Sequence, residues 1–122
     1  MPLPLREKLT MLLPPSLFFR RLIALEARRG EPELPLLHKL LTHGGTAVDV
    51  GANRGVYAYA LAAIAERVVA FEPNPDYASF ARWMLRGRAE VHQVALSDQR
   101  GRGAFHVPVS DQGMVLHLAG SL

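Results

Sequence analysis

Val48-Asp49-Val50-Gly51-Ala52-Asn53-Arg54-Gly55 is the most informative segment of the chain. It closes a short apolar, β-branched run that starts at Thr46, and it turns into an Ala-rich helical segment, Arg54 to Ala65. A second apolar run, Arg67 to Phe71, ends at Glu72, and Glu90 to Leu96 supplies a third. Runs without polar alternation are what a parallel sheet covered on both faces requires. Between the second and third runs, Asn74, Pro75 and Asp76 offer an N-cap, a first-turn proline and a first-turn acid. A helix is therefore predicted from Asn74 to near Gly87, with Tyr77, Phe80, Ala81 and Met84 on its buried face. The order β-α-β-α-β within about fifty residues is half of a doubly wound α/β fold with a parallel sheet.

Outward from this centre the texture changes. Residues 1–45 read as an N-terminal helical extension, Leu-rich and punctuated by proline, and residues 46–122 as the α/β domain. Ser16 is placed to cap a helix running to Arg29 that Gly30 ends, and a second helix is expected from Glu33 to Thr42. The first carries Phe18, Phe19, Leu22, Ile23 and Leu25 beside four arginines, a pattern more often docked on a domain's own sheet than laid on a membrane. Beyond Leu96, Asp98 to Gly103 reads as a turn-rich loop. Ala104 to Val109 reads as an edge strand or hairpin arm, because Pro108 cannot donate to a ladder.

The chemistry is expected where ligands bind in open α/β sheets, at the carboxyl ends of the strands. Gly51 and Gly55 let the backbone turn sharply and approach a ligand closely. Glu72, at the end of the next strand, can accept both hydroxyl hydrogens of a ribose. A dinucleotide loop would need G-x-G-x-x-G, and counting from Gly51 this sequence places Asn53 and Val56 where the later glycines belong. A phosphate-binding P-loop would need Lys-Ser or Lys-Thr, which does not follow. What remains is an acid, Asp49, two residues before the first glycine. It suits a ligand bearing an ammonium and a carboxylate, the carboxylate facing the helix start near Arg54. S-adenosylmethionine has such an end.

Composition narrows the alternatives. The 122 residues carry 14 Lys plus Arg against 11 Asp plus Glu, a net charge of +3 spread along the chain, so no nucleic-acid partner is expected. There is no cysteine, which removes disulfides, thiolate metal sites and cysteine nucleophiles, and fits a reducing, cytoplasmic setting. The apolar run near the N-terminus is broken by Pro14 and Pro15 and fails as a signal peptide, and no run is long enough to span a membrane. The five histidines lack metal-ligand spacing. Tyr57 and Tyr59 read as packing residues, Asp98 as a turn acid or an adenine contact, and Trp83, between Arg82 and Arg86, as able to stack a base but more commonly a packing residue.

Three ordered motifs, Asp49 to Tyr57 (DVGANRGVY), Ala70 to Pro75 (AFEPNP) and Val94 to Asp98 (VALSD), resemble the FkbM family of class I S-adenosylmethionine-dependent methyltransferases. The resemblance covers roughly residues 32 to 115 and is more specific than a lone glycine loop. It implies a Rossmann-like methyltransferase sheet, partial here and preceded by the N-terminal helices. Gly51, Asn53 and Gly55, with Ala52 between them, would surround the methionine end of the cofactor beside Asp49. Glu72 would hold the ribose, and Asn74, Ala95 and Leu96 would border the adenine. The family also implies O-methylation of a small-molecule hydroxyl acceptor, a sugar or natural product.

Two departures stand out. Arg86-Gly87-Arg88 occupies a region where the family often carries asparagines, and nothing after Leu96 matches the Lys-x-Asp-x-Glu-Gly-like segment of its active site. A truncated, cofactor-binding half is therefore expected, with weak cofactor binding, no turnover and no catalytic base identified. Its first strand would have an open edge available for self-association. The alternative from another class is a non-catalytic remnant that binds a nucleoside or a partner.

Overall fold

The computed structural model describes Leu9 and residues 12–107 of the chain. The α/β architecture is as expected: three parallel strands, β1 (Thr46–Val50), β2 (Arg67–Phe71) and β3 (Glu90–His92), adjacent in sequence order. Ahead of them lie α1 (Pro15–Arg29), a 3-10 turn (Leu34–Leu36) and the short α2 (Leu37–Leu40). Two crossover helices, α3 (Val56–Leu61) and α4 (Pro75–Met84), link the strands.

The register explains where the core forms. Ala47 pairs with Val68, Asp49 with Ala70, and Ala70 with Val91, so these side chains share one face of the sheet. Helices cover that face. Val68 and Ala70 are buried in one cluster with Ala58 and Leu61 of α3 and with Phe80, Ala81, Met84 and Leu85 in and just after α4. The other face carries Val48, Val50, Val69 and Phe71, and is open enough that Val48 is 56% and Val50 63% exposed. The expectation of strands covered on both faces is therefore corrected. Both crossover helices lie on one side, and the other is left partly open, most of all along β1.

Helix α1 docks on the domain, as its apolar stripe requires. Phe19 is fully buried and its ring stacks on Tyr59 at 4.3 Å between centroids, while Phe18 meets Phe80 edge-on at 5.5 Å. The expected Ser16 cap is not used: the N-cap is Pro14, Pro15 occupies the first turn, and Ser16 lies inside the helix. Proline fits there because its missing N–H is one the helix could not satisfy. The predicted helix from Glu33 to Thr42 is a 3-10 turn followed by a single α turn, since Pro35 cannot donate and Leu41 turns extended. Helix α3 is half the predicted length; after Leu61 the chain continues in turns, with Ala63 and Ile64 bonding three residues back.

Helix α4 follows the sequence closely. Asn74 Oδ1 accepts from the amides of Asp76 (2.9 Å) and Tyr77 (3.4 Å), and Tyr77, Phe80, Ala81 and Met84 are buried. Its far side is tied to the sheet where Arg82 Nε donates to the Val91 carbonyl at 3.0 Å. Strand β3 stops at His92 instead of Leu96, and Val94 and Leu96 are about half exposed. Of the predicted strand Ala104 to Val109, the described part shows only an isolated bridge at His106; Pro108, Val109 and the segment after them lie outside the described residues.

Candidate functional site

Strand alternation brings the two acids together. Asp49 points to the helix-covered face, and so does Glu72, because it follows Ala70 by two residues and Ala70 is the register partner of Asp49. The chain leaving β1 then folds back over β2: the amides of Gly51 and Ala52 both donate to the Phe71 carbonyl, at 2.9 and 3.0 Å. This returning loop meets Glu72 directly. Asn53 N donates to Glu72 Oε2 at 2.7 Å, and Asn74 N donates to Glu72 Oε1 at 2.8 Å. One carboxylate, only 6% exposed, thus bridges the loop after β1 and the cap of α4. Each oxygen keeps a second lone pair for another donor.

The loop has a specific backbone hand. Gly51, Asn53 and Gly55 have φ of 77°, 51° and 85°, so left-handed residues alternate with ordinary ones. Asparagine is among the few side chains that tolerate this region, which is why Asn53 can stand where a dinucleotide loop has glycine. The two glycines serve different ends. A β-carbon on Gly51 would meet nothing within 4 Å, leaving that side of the loop open to a ligand. A β-carbon on Gly55 would lie 2.7 Å from Leu85 Cδ1, so this glycine permits close packing of the loop on the segment after α4. The sequence suggested ligand approach for both, because spacing alone cannot tell which way the missing side chain would point.

Asp49 has two different oxygens. The amide of Ala58, in the first turn of α3, donates to the carboxylate, supplying a cap that Gly55 itself lacks. The other oxygen, Oδ2, is buried without a hydrogen-bond partner. Burial raises the Asp49 carboxyl above the usual range; the Ala58 bond opposes this, and the Glu72 and Glu31 carboxylates add to it. A buried acceptor oxygen without a donor is chemically matched to an ammonium or another hydrogen-bond donor.

The N-terminal extension also reaches this region. Tyr57, in the first turn of α3, donates its hydroxyl to Glu33 Oε1 at 2.6 Å, and Glu31 lies beside the same hydroxyl. The hydrogen bond holds the Glu33 carboxyl below its ordinary value, while partial burial and the two carboxylates raise the phenol. This contact was missed in the sequence, where Tyr57 reads as packing; Tyr59 does pack, against Phe19.

The structure therefore gathers Asp49, Gly51, Ala52, Asn53, Gly55, Glu72 and Asn74 into one neighbourhood. Ala95 and Leu96 lie past the end of β3, Ala95 half-buried and Leu96 exposed, and the hydrogen bonds of the loop do not extend to them. Asp98 is exposed in a turn, accepting from Ser97 Oγ at 3.1 Å. Trp83 is 42% exposed with the Arg86 guanidinium 5.8 Å from its ring, so it is not a core residue. Among the described residues no group of acids and histidines could hold a metal, and no helix is long and apolar enough to cross a membrane.

Similar folds occur among solved structures of methyltransferases. An rRNA methylase from Streptococcus thermophilus is 18% identical with a TM-score of 0.45, over 52% of this chain and 40% of that one. A protein described as an RNA methyltransferase from Pyrococcus horikoshii is 25% identical with a TM-score of 0.49, over 62% and 41%. A methyltransferase from Geobacter sulfurreducens is 21% identical with a TM-score of 0.45, over 73% and 55%. The match thus spans 40% to 55% of the length of these structures. No curated protein matches. The methyltransferase FkbM domain model, however, matches residues 49–121, beginning at the acid that caps α3 and running through the glycine loop, Glu72 and the segment after β3. By that match over more than half its length, the chain belongs to the methyltransferase FkbM domain family.

Proposed function

We propose that this chain forms the S-adenosylmethionine-binding part of a methyltransferase that acts on a hydroxyl of a small acceptor, a sugar or natural product. The observation that carries the reading is the Glu72 carboxylate, which joins the Asn53 and Asn74 amides and so sets the β1 loop beside the end of β2. The fit of the residues supports the cofactor. The unpartnered Asp49 Oδ2 suits the ammonium of a methionine end, and the open side of Gly51 leaves room next to it. The remaining lone pairs of Glu72 suit ribose hydroxyls, and Asn74, Ala95 and Leu96 are assigned to the adenine. When bound, the cofactor supplies an electrophilic sulfonium methyl. The residues of this chain bind and orient it; a fixed loop contributes by holding the donor in place for an incoming hydroxyl.

A small acceptor is favoured over nucleic acid because the charge of +3 is dispersed and several arginines are engaged within the fold. Arg82 is held by Val91, and Arg88 lies over the Tyr59 ring at 5.1 Å. Calorimetric titration with S-adenosylhomocysteine tests the cofactor reading: binding that is lost in Glu72→Ala supports it, and a wild-type chain that gives no heat sinks it. Strand β1 pairs only with β2 among the described residues, so its other flank is an open edge, which favours a further reading in which that flank joins another strand. Self-association is its simplest form, and sedimentation velocity over a concentration series measures it.

A further inference from the structure

Helix α3 has six residues, fewer than an isolated helix needs to persist, and its N-cap is a glycine without a capping side chain. Its placement, and that of the loop feeding it, must come from tertiary contacts. Asp49 supplies one from below through Ala58. The N-terminal extension supplies two more. Phe19 of α1 stacks on Tyr59, its rings 4.3 Å apart and 17° from parallel, and Glu33, just before the 3-10 turn, accepts from the Tyr57 hydroxyl at 2.6 Å. Tyr57 and Tyr59 are two residues apart on a helix, so they project about 200° from each other and the extension grips α3 on two sides.

We infer that the Tyr57–Glu33 hydrogen bond is a latch by which the N-terminal extension holds the loop 51–55 in its ligand-ready shape. Tyr57 is then a positioning residue that acts through the loop without touching ligand. The latch lies two residues beyond Gly55, so a rotation of α3 is passed directly to the end of a loop whose two glycines supply no stiffness of their own. Its contribution is to preorganisation, reducing the ordering that binding would otherwise require. The functional consequence rests on the cofactor reading above; the structural one does not.

The test compares Tyr57→Phe, Glu33→Ala and Glu33→Gln in the full chain, by amide hydrogen exchange and by titration with S-adenosylhomocysteine. Phe and Ala remove the bond, whereas a glutamine oxygen still accepts it. The first two variants are expected to speed exchange of the Asn53 and Gly55 amides about fivefold relative to those of Val69 and Phe71, with Glu33→Gln close to wild type. The dissociation constant should rise in the same two variants by a similar factor. Unchanged loop exchange in Tyr57→Phe, uniform acceleration of all amides, or failure of Glu33→Gln to restore the wild-type pattern overturns the latch. A wild-type chain that does not bind S-adenosylhomocysteine sinks the cofactor reading instead, and the exchange data still decide the latch.

Discussion

Replacing Gly55 by alanine separates packing from ligand approach. The new methyl would sit 2.7 Å from Leu85 Cδ1, 3.4 Å from its Cγ and 3.5 Å from Ala81 Cβ. Only the first is a clash: carbon atoms prefer about 3.5–4.0 Å, so roughly 1 Å must be found. Leu85 cannot easily yield, because it is fully buried within the cluster formed by α3, α4 and β2. Overpacking of this kind costs about 1–3 kcal/mol. The backbone adds its own penalty, since φ is +85° and a β-carbon in the left-handed region costs about 1–2 kcal/mol. The total is about 2–5 kcal/mol, a large part of the stability of a small domain. Gly51→Ala is the internal control: its φ is +77° but its β-carbon meets nothing within 4 Å, so only the backbone cost of about 1–2 kcal/mol applies. Urea unfolding followed by far-ultraviolet circular dichroism should rank wild type above Gly51→Ala and Gly51→Ala above Gly55→Ala. Leu85→Ala on its own should cost about 2–5 kcal/mol through its cavity, and combined with Gly55→Ala the two losses should sum to less than their separate values. Equal destabilisation by the two glycine substitutions, or additivity within about 0.5 kcal/mol, would refute the packing role of Gly55.

Other perturbations address the remaining parts of the site. Glu72→Gln keeps the shape but turns an NH2 toward a backbone N–H, so it should destabilise by about 1–3 kcal/mol in the same unfolding assay and weaken S-adenosylhomocysteine binding. Asp49 is predicted to reduce the stability of the ligand-free chain at neutral pH, because folding raises its carboxyl above the unfolded value and the charged form is penalised in the fold. That penalty is relieved as pH falls through the raised value, so the stability gap between Asp49→Asn and wild type should shrink from neutral pH toward acid, apart from a constant offset; a gap that widens would contradict it. Phe19→Ala empties a fully buried position against Tyr59 and should cost about 3–5 kcal/mol, read from thermal melts. By contrast the bidentate pair between Arg67 and Glu90, at 2.8 and 3.0 Å but more than half exposed, should show a double-mutant coupling below about 1 kcal/mol.

Strands β1 and β2 were legible in the sequence to the residue, as were the Asn74 cap and the buried face of α4. These are local matters: apolar runs, caps and sites of left-handed backbone are set by a few adjacent residues. The contact of Asn53 with Glu72, 19 positions on, follows once β1 and β2 pair in parallel register. Tertiary structure decided the rest. Whether Gly55 faces a ligand or Leu85, whether Tyr57 packs or bonds Glu33, and whether the sheet is covered on one side or two depend on residues 24 or more positions away meeting in space. The lengths of α2, α3 and β3 belong here too, because short elements have no cooperative stability of their own and end where their tertiary contacts end.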